Sequence, residues 1–217
     1  MSTQANQVSQ KPARLNRAVL WSVVAAVVVV GAIGFDTKVV KIGSEADVRQ
    51  QAFSPEAYGA AEFPKVKASV EERAAEAVEV GTALVADKDA AGKKYGVGSV
   101  NPVIPVKFTG TVEERKSNYN VIKVDGFPEG MAIRVQTGPA VNGTDLRDAT
   151  GTIEFGQFKN QIEFQNAGSA LNNEMKKQVL EGVDVNNLVG KTVSVTGVFK
   201  LVNPKNWLVT PVGLEVK

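Results

Sequence analysis

VIPVKFTGTVEERKSNYNVIKVDGFPEGMAIRVQT, residues 103–137, is rich in Val, Ile, Phe and Thr and is cut twice by residues that break regular structure. Lys116-Ser117-Asn118 forms the first break, and Gly126, Pro128 and Gly130 form the second. Branched and aromatic residues between such breaks predict strands over 103–114, 119–125 and 131–137. Downstream, Phe164, Ala167, Leu171, Met175 and Val179 recur at helical spacing, which predicts a helix over 161–181 closed by Gly182. Two more strands are predicted at 191–201 and 207–216, joined by the turn Asn203-Pro204-Lys205-Asn206.

The resulting order, three strands, a helix and two strands, is that of a five-stranded OB-like β-barrel. Gly110 and Gly197 fall inside predicted strands, where a small closed barrel needs bulges or sharp coiling. Residues 97–217 are therefore expected to form the barrel, and residues 36–96 a helical part packed on it. In that part Asp36–Lys41 is expected to be extended. Ser44 starts a first helix that Pro55 interrupts or ends, with Phe53, Tyr58 and Phe63 as its aromatic contacts. After Pro64, Val66, Val70, Ala74, Ala77, Val78, Leu84 and Val85 predict one amphipathic helix running to Gly92, weakened in the middle by Gly81. The fold class is α+β.

The N-terminus has a different character. Lys11, Arg14 and Arg17 make residues 1–17 a basic tail, and Ala18–Phe35 follows without a formal charge. Such a length of apolar sequence is just enough to span a bilayer, with Trp21 near one interface. Cations before the span and Asp36 after it place the tail in the cytoplasm and the body outside. The span reads as a retained transmembrane anchor. A cleavable signal peptide is the competing reading, since Ala32-Ile33-Gly34 offers small residues at peptidase spacing. Both export the body.

Composition excludes several chemistries. The 217 residues contain neither cysteine nor histidine, which removes disulfides, Cys and Ser-His nucleophiles and the usual zinc ligands. No cofactor or metal is expected. Net charge is +2, with no basic excess in the body of the kind that nucleic-acid binding requires. Phe108, Tyr119 and Phe127 are too few for a base-stacking face and read as core.

The densest polar stretch lies between the third strand and the helix: Gln136 through Ala149, then Phe155-Gly156-Gln157-Phe158-Lys159-Asn160-Gln161. Thr144, Arg147, Asp148, Asn160 and Gln161 together offer donors and acceptors suited to hydroxyls or carboxylates of a sugar-like ligand. The competing reading is architectural, with Arg147 pinning the loop through carbonyls and Asp148 bridging a turn. Asn142-Gly143-Thr144 matches a glycosylation sequon by chance.

Gly138-Pro139, the run Gly143-Thr144-Asp145-Leu146-Arg147-Asp148-Ala149, Phe158-Lys159-Asn160-Gln161, Gly190-Lys191 and Thr210-Pro211-Val212 resemble the DUF2291 family of bacterial periplasmic lipoproteins over about residues 36–217. That resemblance implies an OB-like domain, export, and the company of sugar ABC-transport components, without an established activity. The chain departs from the lipoprotein pattern in lacking the lipid-bearing cysteine, so a spanning helix would replace the acyl anchor.

Three functions are weighed on this basis. A membrane-anchored, non-enzymatic binding or accessory domain, serving a sugar ABC transporter or a small sugar-like ligand, leads. A carboxylate-dependent periplasmic hydrolase would need Glu154 and Glu163, or Asp145 and Asp148, to face each other across a cleft. Nucleic-acid binding rests on fold analogy alone and comes last.

Overall fold

The protein's computed structural model describes Trp21 and residues 53–217. The basic tail 1–17, the 18–35 span apart from Trp21, the extended segment 36–41 and the helix expected from Ser44 lie outside the described residues. Among the described residues no helix is long and apolar enough to cross a membrane.

Five strands close the barrel as predicted: β2 (Val103–Lys116), β3 (Tyr119–Lys123), β4 (Ala132–Gln136), β5 (Thr192–Lys200) and β6 (Asn206–Val216). A two-residue strand, β1 (Ala75–Glu76), precedes them. The barrel order is β2-β3-β4-β6-β5 and back to β2, with β4 and β6 parallel and every other barrel pair antiparallel. The strand bounds agree with the sequence reading to within two residues at most ends.

Long β2 serves both sides of the closure. Its first half pairs with β5 and its second half with β3, and the ladder to β3 shifts register between Val112 and Glu114. Ile104, Val106, Ile133, Val135, Val193, Phe199, Trp207 and Val209 are buried and belong to one core. Phe199 and Trp207 stack with ring centroids 4.2 Å apart, and Phe127 meets Trp207 edge-on at 4.9 Å. Phe108 is core as expected, while Tyr119 and Phe127 are half-buried.

Gly197 shows why the barrel needs glycine. The β5–β6 ladder shifts register there, and a Cβ would stand 2.5 Å from the Thr210 carbonyl oxygen, so any side chain would force two backbones apart.

The helical part differs from the sequence reading. Pro55 begins a helix: α1 (Pro55–Arg73) has Ser54 as N-cap, accepting from the Ala57 N–H at 3.4 Å. A proline fits the first helical position because that N–H has no intrahelical partner in any case. Pro64 lies inside α1. The helix continues through it because Phe63, Val66 and Val70 are fully buried on one face, which outweighs one missing backbone bond.

The single helix expected to run to Gly92 is broken twice. Ala75–Glu76 leaves the helix to pair in parallel with Val106–Lys107 of β2, on the edge that β3 does not reach. Helical spacing continues through Ala74 and Ala77, so the sequence pattern hides this break. The chain resumes as α2 (Ala77–Ala86) and breaks again at Asp87, whose carboxylate caps α3 (Lys88–Tyr95) by accepting from the N–H groups of Asp89 and Ala90. Gly81 is a contact point, since a Cβ there would meet the Phe127 ring at 2.9 Å.

Between β4 and β5 lie a short turn, α4 (Asp145–Asp148), and the predicted helix α5 (Gln161–Met175), which runs on through a π turn to Leu180. α1 packs on α5, closely enough that a Cβ at Gly59 would stand 2.7 Å from the Ala170 carbonyl oxygen.

Candidate functional site

The loop after β4 is bolted down by its own polar groups. Gln136, at the end of β4, donates to the Asn142 carbonyl at 3.1 Å and to Thr210 Oγ1 at 2.8 Å, and accepts from the Asn142 N–H. Asn172 on α5 donates to the Gly143 carbonyl at 3.0 Å, and Asn118 accepts from the Ala140 N–H at 3.1 Å. Arg73 reaches the Ala149 carbonyl from α1 at 2.7 Å.

Within this frame three of the predicted site residues meet. Arg147 is buried, with its side chain 9% exposed. Its Nε donates to Asp148 Oδ1 at 2.8 Å and its Nη1 to the Phe164 carbonyl at 3.1 Å, and the guanidinium lies 3.7 Å above the Phe164 ring. The other Asp148 oxygen accepts from Thr144 Oγ1 at 2.7 Å and from Lys200 Nζ at 3.3 Å. Burial pushes the Asp148 carboxyl up, but the bonds from Thr144 and Arg147 and the charges of Arg147 and Lys200 reverse that, leaving it below its ordinary value. Both carboxylate oxygens are occupied and the guanidinium faces protein, so this cluster fastens α4 to α5 and β5.

Asn160 and Gln161 do not join it. Asn160 is the N-cap of α5, its Oδ1 accepting from the Ile162 and Glu163 N–H groups at 3.0 Å each. Asn160→Ala should lower stability by about 1 kcal/mol, the usual worth of such a cap, as read by urea unfolding. Gln161 is exposed at the first helical position. Glu163 accepts from the Lys159 N–H at 3.0 Å and so completes the same helix start.

Two hollows border the same loop. A cleft of about 560 Å³ is lined by Arg134 of β4, Asn142 and Asp145 of the loop, Lys200 of β5, and Asn206 and Leu208 of β6. Parallel pairing sets Arg134 opposite Leu208. Lys200 also lines a second hollow of about 390 Å³ together with Asp148, Gly151 and Ile153. Sequence reasoning passed over Arg134, Lys200 and Asn206, because only the pairing of β6 with both β4 and β5 brings these distant positions to one place. The available signal was Arg134 itself, between the apolar Ile133 and Val135 on the opposite face of a strand.

Burial pushes the Asp145 carboxyl up to about 6, with Lys200 opposing the rise and Asp148 adding to it. A folded-state pKa above the unfolded one means that ionisation disfavours the fold. Stability from this group is therefore present at low pH and lost as pH rises through about 6. Asp145→Asn should accordingly stabilise by about 1–2 kcal/mol at pH 8 and by little at pH 4. Denaturant unfolding at the two pH values reads the difference. Among the described residues no acidic cluster could hold a metal ion.

Comparison with known proteins agrees with this architecture. The model of a family described as "Predicted periplasmic lipoprotein (DUF2291)" matches residues 23–215, a description that carries an extracytoplasmic location. No curated protein matches the chain. Among solved structures, an OB-fold protein from Thermotoga maritima is similar with a TM-score of 0.63 and 22% identity, over 77% of this chain and 100% of that one. At that identity the likeness concerns the fold alone.

Proposed function

The chain belongs to the DUF2291 family, and from that premise we propose that it is a non-enzymatic binding and accessory domain, held at the outer face of the cytoplasmic membrane by residues 18–35, whose outer cleft receives a small sugar-like solute. The observation that carries the reading is the contrast between two sets of polar side chains around the loop. Thr144, Arg147 and Asp148 are bonded among themselves and to the frame, whereas a cleft of ligand size keeps Arg134, Asn142 and Asn206 uncommitted.

An ABC transporter for such a solute is the partner this reading assigns. A spanning helix would hold the domain beside it, as an acyl chain does for a lipoprotein, and more permanently. The hydrolase reading is weaker, since Asp148 has neither oxygen free to act as a base and Glu163 is engaged at a helix start.

Purification of the full chain from its native membranes in mild detergent tests the proposal. A transporter subunit should co-elute, and the chain should remain in the membrane fraction through a high-salt wash. Elution of the chain alone, or its release by salt, would sink it.

A further inference from the structure

Four arginines lie among the described residues, and three are hydrogen-bonded to protein. Arg73 donates to Ser69 and to the Ala149 carbonyl, Arg115 to Thr137, Gly138 and Asn186, and Arg147 to Asp148 and Phe164. Arg134 is the exception. Its Nε is shut off from solvent with no hydrogen-bond partner, and its guanidinium lies 5.3 Å from the Tyr119 ring centre, with no carboxylate paired to it among the described residues. No side-chain nitrogen of Arg134 has a hydrogen-bond partner among the described residues, and its two terminal nitrogens, unlike the enclosed Nε, are not shut off from solvent; a guanidinium is a planar fork whose best answer is a carboxylate.

The rest of the cleft says what else the ligand carries. Asn142 and Asn206 line it, and their side-chain amides have no partner among the described residues. Asp145 adds an acceptor for a hydroxyl. Lys200 is already shared with Asp148, which leaves Arg134 as the cation available to an incoming anion. Val202 and Leu208, 63% and 37% exposed, give the cleft an apolar wall for carbon-bound hydrogens. A bare inorganic anion would leave the amides and this wall unused. A neutral sugar would leave Arg134 unanswered.

We propose that this cleft binds a small hydroxylated carboxylate of the sugar-acid kind, its carboxylate on Arg134 and its hydroxyls on Asn142, Asp145 and Asn206. The inference rests on the reading of the chain as a solute-binding domain and deepens it.

Calorimetric titration of the full chain in mild detergent with D-galacturonate, D-galactose and inorganic phosphate provides the test. Galacturonate should bind at least about tenfold more tightly than the other two. Arg134→Gln should weaken it by at least about tenfold, equivalent to about 1.4 kcal/mol. Arg134→Lys, which keeps the charge and loses the fork, should fall between, and both variants should melt as the wild type does. Equal binding of galactose, equal binding of phosphate, galacturonate binding untouched by Arg134→Gln, or no binding of any probe would each overturn the proposal. If these fail while a transporter subunit still co-purifies, only the ligand class falls. If the subunit is also absent, the accessory reading falls with it.

Discussion

Trp207→Ala is expected to destabilise the protein by about 3–5 kcal/mol, the range for truncating a large aromatic in a packed core. Trp207 is fully buried, stacked on Phe199 and met edge-on by Phe127. It stands second in β6, so truncation would open a cavity where the parallel β4–β6 pairing begins. Its indole N–H also donates to the Pro204 carbonyl at 2.8 Å, holding the turn from β5 into β6. Trp207→Phe keeps a ring against Phe199 and loses that bond, so about 1–2 kcal/mol is expected. Urea unfolding should show the midpoint falling in that order with the slope unchanged. A variant Trp207→Ala as stable as the wild type would mean that the barrel does not depend on this packing.

Arg147→Ala should follow at about 2–3 kcal/mol. It removes charge-assisted bonds to Asp148 and the Phe164 carbonyl, uncovers the Phe164 ring, and leaves Asp148 partly buried with only Thr144 and Lys200. The exposure of Asp148, 26% for its side chain, keeps the effect below that of breaking a fully buried pair. Arg147→Lys keeps the charge but cannot bond Asp148 and Phe164 together from one planar group, so it should recover only part of the loss. Thermal unfolding separates the three proteins. Unchanged melting with lost solute binding would return Arg147 to the functional face.

The barrel was legible because its signals are local. The runs of branched and aromatic residues between breakers in 103–137, the stripe from Phe164 to Val179 and the turn at Asn203–Asn206 each name an element from adjacent residues, and the element order then leaves few topologies. The helical part was less legible, since proline carries two meanings that only packing separates. Pro55 is a starter and Pro64 a tolerated passenger because Phe63, Val66 and Val70 face the core. β1 could not be read at all, as two residues have no periodicity and exist as a strand only through an open edge on β2.

The candidate site was half legible for a related reason. Thr144, Arg147 and Asp148 are close in sequence and do meet in space, but a list of donors and acceptors does not say whether they answer one another or a ligand. Once their bonds are drawn they are seen to be spent. The uncommitted groups, Arg134, Asn142 and Asn206, are spread along the chain and meet at one cleft because β4 and β6 run parallel and Gln136 holds the loop that carries Asn142.

Native mass spectrometry of the full chain released from its own membranes tests the central claim most directly. The account predicts a small-molecule adduct on the wild type and on Asn160→Ala, and its loss from Arg134→Gln at an unchanged melting temperature. An adduct retained by Arg134→Gln, or a wild-type protein that carries none, would contradict it.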